Sequence, residues 1–124
     1  MEGKRIALIG DVGGTNIRLQ LIAIQLHLNE PEIIKEEKYK VKDYDIFEDA
    51  IRTFLKDIKE ADYPKCAAIG IAGPISKNKV SLANVGKWGV LNGDQLGVNL
   101  NITTFQFLND FEAASYGILT LPDE

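Results

Sequence analysis

The hydrophobic positions fall into segments whose period changes along the chain. Residues 4–9 form a short apolar run rich in β-branched side chains, and the turn-forming stretch Gly10-Asp11-Val12-Gly13-Gly14-Thr15-Asn16 breaks it. From Ile17 the pattern alternates, with Ile17, Leu19 and Leu21 on one face and Arg18 and Gln20 on the other, before residues 22–28 become almost wholly apolar. Period two predicts a second strand directly after the turn. A third strand is predicted over residues 33–42, where Tyr39 and Val41 alternate with Lys38, Lys40 and Lys42. A face of lysines discourages edge-to-edge pairing, so this strand reads as the edge of a sheet.

The period then lengthens. Ile46, Phe47, Ala50, Ile51, Phe54, Leu55 and Ile58 form one helical stripe over residues 45–58, with Asp45 as N-cap and Glu48 completing a start that resembles a capping box. Asp62-Tyr63-Pro64 ends it. Residues 65–72 are too continuously small and β-branched for a one-sided strand, which predicts a central strand parallel to the first. Gly73-Pro74 stops that strand, residues 79–83 read as a short extension, and residues 84–93 form a Gly-rich loop. Its tryptophan, Trp88, is expected in a small satellite cluster. A short helix runs from Asn92 or Asp94 towards Asn99, a strand occupies residues 103–108, and Asn109-Asp110-Phe111-Glu112 opens a last helix. Two hairpins make the first three strands antiparallel neighbours, and helical crossovers return each later strand parallel to the first. The fold class is therefore α/β with a mixed sheet. The carboxyl ends of the three parallel strands share one rim, where Asp11, Gly73 and Asn109-Asp110 converge, and such rims are where open α/β sheets bind ligands.

Composition narrows the partners. The 124 residues are 45% hydrophobic and 26% charged, which excludes a disordered tail and suits one domain with its own core. A net charge of -4 offers no footprint for nucleic acid or an anionic membrane. No apolar stretch reaches signal-peptide or membrane-spanning proportions, so a cytoplasmic location is expected. The single cysteine, Cys66, lies in an apolar run and reads as a buried small hydrophobe. His27 has no metal-ligand spacing and is assigned no role.

The first turn has no Gly-Lys-Ser/Thr ending, and it leads into a strand where a dinucleotide fingerprint requires a helix. What remains is a glycine-rich hairpin whose amides can approach an anion, with the Thr15 hydroxyl and the Asp11 carboxylate beside them. Gly13 and Gly14 are expected to serve a positive-φ turn, and the same residues equally suit a β-hairpin chosen only for its geometry. A carboxylate beside a phosphate repels it unless Mg²⁺ lies between, and Mg²⁺ takes only one or two carboxylates. Asn109, with Glu112 three residues on, can be a helix cap. Across the rim from a phosphate hairpin, Asp110 is also placed to take the proton from a hydroxyl attacking a γ-phosphate, a role worth about 10²–10⁴-fold in rate. Gly73-Pro74 is read first as a strand end.

Four segments in this order carry a resemblance: Gly10-Asp11-Val12-Gly13-Gly14-Thr15-Asn16 between strands, Ile71-Ala72-Gly73-Pro74, Ala83-Asn84 with Trp88 following, and Leu108-Asn109-Asp110-Phe111-Glu112-Ala113. Together they resemble the N-terminal half of the bacterial-type glucokinases, within the hexokinase and actin-like ATPase superfamily. The resemblance implies a ribonuclease-H-like lobe with strand and helix order β-β-β-α-β, loop and short helix, β-α. It implies ATP and Mg²⁺ as cofactors and transfer of the γ-phosphoryl group to the 6-hydroxyl of glucose. Asp110 matches the catalytic base, and Gly10, Asp11, Val12, Gly13, Gly14, Thr15 and Asn16 match the nucleotide-phosphate loop. Asp11 matches the Mg²⁺ site, directly or through water, and Asn109, Asp110, Gly73 and Asn84 match sugar contacts. It further implies that residues 1–124 are one N-terminal lobe of a two-lobed kinase. The C-terminal lobe is absent from this chain, which by itself is expected to be inactive because one lobe cannot close over substrate. A homodimer of the intact protein belongs to the same set of expectations. Two alternatives stay open: a non-catalytic sugar- or phosphate-binding lobe that needs a partner chain, and another actin-like ATPase with a different acceptor.

Overall fold

The computed structural model describes residues 4–25, 30–82, 85–111 and 114. The expectations at His27, Ala83, Asn84, Glu112 and the remainder of the last helix lie outside the described residues.

Strand β1 (Lys4–Val12) pairs antiparallel with β2 (Asn16–Gln25), and β2 pairs antiparallel with β3 (Glu32–Lys40), with a register shift between Leu21 and Ile22. The third strand stops at Lys40 because Val41 turns its side chain into the core and opens a 3-10 turn, Val41–Asp43. The Val41 N–H donates to the Thr15 carbonyl at 2.9 Å, which ties this turn to the tip of the first hairpin.

Helix α1 (Phe47–Leu55) buries Phe47, Ala50, Ile51, Phe54 and Leu55, the stripe read from the sequence. Its start differs from expectation. The N-cap is Ile46, no side chain caps the helix, and Asp45 and Glu48 form no capping box. The Glu48 carboxylate is engaged elsewhere, accepting from Arg52 Nη2 at 2.7 Å and from Asn99 Nδ2 at 2.9 Å. The helix also ends before Ile58, whose N–H turns back to the Leu55 carbonyl.

Strand β4 (Cys66–Ile71) is buried along its whole length, as a parallel strand covered on both faces must be. The short strands β5 (Lys79–Val80) and β6 (Leu91–Asn92) form a small antiparallel pair. Helix α2 (Gly93–Leu100) follows, capped by Asn92, whose side chain accepts from the Gln95 N–H. Strand β7 (Thr104–Leu108) returns parallel to β4. Among the described residues the main sheet has the order β3-β2-β1-β4-β7, so β3 is an edge as expected and β7 is the other.

Alternation divides the core between the two faces of the sheet. Leu8, Leu19, Ile69 and Phe107 on one face pack with α1, α2 and Trp88. Trp88 is therefore part of the main core, not of a satellite cluster: its ring lies 5.4 Å from Phe47, and Nε1 donates to the Tyr44 carbonyl at 3.0 Å. The opposite face carries Ala7, Ile9, Ile22, Cys66 and Ala68, packed with Ala114. Small side chains there allow the segment after β7 to approach the sheet closely. No helix among the described residues is long and apolar enough to cross a membrane.

Candidate functional site

The parallel strands β1, β4 and β7 bring their carboxyl ends to one rim. Asp11 is the register partner of Gly70, and Gly70 is the partner of Leu108, so Asp11 and the end of β7 stand two strand spacings apart, about 10 Å. The convergence expected from strand order is present.

The hairpin at this rim is shorter than the sequence implied. Strand β1 runs through Asp11 to Val12, and the Gly13 N–H donates to the Asn16 carbonyl at 3.0 Å to close the turn. Gly10 is a sheet residue, paired with Leu19 on one side and Ile69 on the other. A Cβ there would stand 2.7 Å from Ile69 Cδ1 and 3.0 Å from Leu19 Cδ2. Val12 buries its side chain in the core. Gly10 and Val12, expected as phosphate contacts, are thus held in the framework by sheet pairing and packing. The surface open to an anion narrows to Asp11, Gly13, Gly14, Thr15 and Asn16, which line a cleft of about 530 Å³ with Arg18 and Lys38.

The glycines of this turn do not serve a positive φ. Among the described residues the glycines with positive φ are Gly73 and Gly89. A Cβ on Gly13 would meet nothing nearer than the Asn16 carbonyl at 4.0 Å. Neither backbone conformation nor packing demands glycine there, and its effect is to leave the turn's main chain open from outside. The setting is cationic: across the Gly14-Thr15 tip a second cleft, about 440 Å³, is lined by Lys40, Lys42 and Lys87.

Arg18 was not singled out by sequence reasoning as a site residue. It is the register partner of Asp11, and its Nη2 lies 3.9 Å from Asp11 Oδ2 while Nη1 lies 4.0 Å from Glu36. Its guanidinium carbon sits 4.3 Å from the centre of the Phe111 ring, next to Asp110. The alternation that put Arg18 on the face opposite Leu19 was the available signal. It needed the hairpin register to become a contact.

Asn109 and Asp110 are exposed where the chain leaves β7. Gly70 positions them: a Cβ on it would fall 2.5 Å from the Asp110 carbonyl carbon and 2.5 Å from the Phe111 nitrogen, so the loop rests directly on the β4 backbone. The expected cap of Asn109 with Glu112 lies outside the described residues. The Asn109 Nδ2 donates across the rim to the Gly73 carbonyl at 3.2 Å, and the Asp110 carbonyl accepts an i+4 bond from the Ala114 N–H at 3.0 Å. Gly73, at φ 141°, ends β4 in a conformation that favours glycine and presents that carbonyl.

Among the described residues no group of three or more His, Cys, Asp or Glu side chains could hold a metal by itself. Asp11 offers a single carboxylate, 47% exposed. That donor set fits Mg²⁺ shared with a phosphate, since Mg²⁺ keeps several waters and takes one or two carboxylates.

A mixed sheet of this order, with a glycine hairpin between its first two strands and an acidic turn after its last, is a ribonuclease-H-like lobe of the actin-like ATPase fold. The family model described as Glucokinase matches residues 8–124, and the chain belongs to the glucokinase family. It is 34% identical over 116 residues to a glucokinase of Nostoc sp., covering 94% of this chain and 33% of that protein. With a glucokinase of Erwinia tasmaniensis the identity is 35% over 120 residues, 97% of this chain and 35% of the relative. The crystal structure of a glucokinase from an Antarctic psychrotroph superposes with a TM-score of 0.75 at 29% identity, over 94% of this chain and 36% of that one. A Balamuthia mandrillaris glucokinase solved in complex with glucose shares the fold, with a TM-score of 0.63 at 24% identity over 94% of this chain and 32% of that one. The chain spans about a third of the length of the curated relatives it matches.

Proposed function

We propose that the intact protein transfers the γ-phosphoryl group of ATP to the 6-hydroxyl of glucose. In this reading residues 1–124 form the N-terminal lobe of a two-lobed kinase that works in the cytoplasm. Asp110 is the base that takes the proton of the attacking hydroxyl. Asn109 orients the sugar with its carboxamide oxygen while Nδ2 stays anchored on Gly73. Asn84 remains a proposed sugar contact from the family resemblance. The open turn at Gly13, Gly14, Thr15 and Asn16 cradles the donor phosphates, and the neighbouring lysines favour the anion. Asp11 would hold Mg²⁺, directly or through water, and the ion would supply positive charge to the phosphates. Phosphoryl transfer needs little covalent help from the protein, so alignment and charge carry most of the rate.

The observation that supports this most is that Asp110 is an exposed residue on the rim that also carries the glycine hairpin. Asp110→Asn in the full-length protein is expected to lower kcat about 10²–10⁴-fold while glucose still binds. Turnover at the wild-type rate would reduce Asp110 to a residue that only starts a helix.

A further inference from the structure

Strand β7 delivers Asn109 and Asp110, yet it is an edge of the sheet, with one row of main-chain groups facing away from β4. Unpaired edges let a strand shift or fray, and proteins cover them. One side chain does so here. Asn78 Nδ2 donates to the Phe105 carbonyl at 2.6 Å, and Asn78 Oδ1 accepts from the Phe107 N–H at 2.9 Å. The carboxamide thereby imitates one peptide unit of a neighbouring strand. Its second N–H donates to Asp94 Oδ1 at 2.9 Å, and the Asn78 carbonyl accepts from the Gly93 N–H at 2.8 Å. Only one orientation of the amide serves these partners, because two are acceptors and one is a donor.

The backbone holds this side chain in place. Ser76 and Lys79 exchange both main-chain hydrogen bonds at 3.0 Å, and Lys77 and Asn78 between them have φ of 54° and 61°. Two positive-φ residues make a type I′ turn, a rigid connection in which asparagine is favoured over most side chains. Gly93 completes the fit, since a Cβ there would overlap the Asn78 carboxamide.

We propose that Asn78 is a positioning residue for the phosphoryl-transfer site: its carboxamide clamps the outer edge of β7 and so sets where Asp110 stands over Gly70. The inference rests on the assignment of Asp110 as the base. Phe107 lies three positions before Asp110, and the Gly70 contact holds the inner side of the same segment. Releasing the outer clamp lets the carboxylate drift, and a displacement of about 1 Å in a positioned group costs about 10²-fold in rate.

The test uses the full-length protein, with kcat expressed per folded molecule from near-ultraviolet circular dichroism. Asn78→Asp tolerates the same φ and keeps the acceptor for Phe107, but loses both donors and places a carboxylate against the Phe105 carbonyl and Asp94. Gly93→Ala pushes the carboxamide aside from the other direction while raising helix propensity, so it tests the clamp even if Asn78→Asp does not fold. Both variants are expected to lower kcat at least about tenfold with the KM for ATP within about twofold. Both are also expected to speed hydrogen exchange at the Phe107 amide. Unchanged kcat in the folded variants, or unchanged exchange at Phe107, overturns the proposal. Asp110→Asn is run beside them. If it alone loses turnover, the Asn78 inference fails and the catalytic reading stands; if it turns over normally, both fall.

Discussion

The carbonyl carbon of Asp110 lies 2.5 Å from the point a Cβ on Gly70 would occupy. A glycine in the middle of a buried strand is unfavourable by itself, and here it admits the main chain of the loop that carries the acidic residue. Gly70→Ala is therefore expected to displace the Asp110 and Phe111 backbone, because no flexible side-chain end is available to yield. The overpacking costs about 1–3 kcal/mol. Activity of the full-length protein should fall further than stability. A variant with wild-type kcat and unfolding midpoint would show that the loop relaxes without consequence.

Gly10 and Gly13 separate framework from access. Gly10→Ala pushes on Ile69 and Leu19 side chains inside the sheet and is expected to destabilise by about 1 kcal/mol. Gly13→Ala meets open space at an ordinary φ, so its unfolding midpoint should match the wild type. In the full-length protein Gly13→Ala should nonetheless raise the KM for ATP if, as proposed, the phosphates approach this turn. Wild-type kinetics in Gly13→Ala would remove the turn from the phosphate site.

Glu48, Arg52 and Asn99 join α1 to α2 and make part of the acid stability. The Asn99 carboxamide and then the Arg52 guanidinium hold the Glu48 carboxyl below its usual range, against partial desolvation that pushes it up. A group whose pKa is lower folded than unfolded contributes stability above its unfolded pKa, about 4.3 for Glu, and loses it as pH falls through the folded value. Asn99→Ala is expected to cost on the order of 1 kcal/mol at pH 7 and almost nothing near pH 2. Denaturant midpoints at the two pH values measure this. An equal cost at both would mean that Asn99 acts through contacts that do not titrate, such as the bond it accepts from Gln95 Nε2.

Trp88 links the loop after β5 to α1. Trp88→Ala removes the contact with Phe47 and the hydrogen bond to the Tyr44 carbonyl, and is expected to cost about 3–5 kcal/mol. Trp88→Phe should recover most of the packing and leave the Tyr44 carbonyl without its donor. A loss below about 1 kcal/mol in Trp88→Ala would place the ring outside the cooperative core.

The strands, the buried stripe of α1 and the shared rim were legible because each is a periodic pattern of side chains that local geometry converts directly into a face. The same holds for the resemblance, which rests on short runs of residues in order. Other features had competing local solutions. Asp45 and Glu48 satisfy a capping rule, yet Glu48 finds Arg52 one turn along and Asn99 on another helix. Asn109 Nδ2 bridges to the Gly73 carbonyl, a contact no local rule points to. Trp88 sits in a Gly-rich loop whose sequence says nothing of the Phe47 ring it meets.

Residue order by itself determined which way each strand runs, and with it that Asp11 and Asp110 emerge on one side of the sheet. Tertiary structure alone decided that Gly10 and Gly70 are glycines for close packing whereas Gly13 is not. It also decided that Arg18 reaches Asp11 and Phe111, and that Asn78, far from Phe107 along the chain, closes the edge of β7. The physical reason is that strand direction follows from chain connectivity, while the partner of a polar side chain, or the room beside a Cα, depends on atoms that only folding brings near.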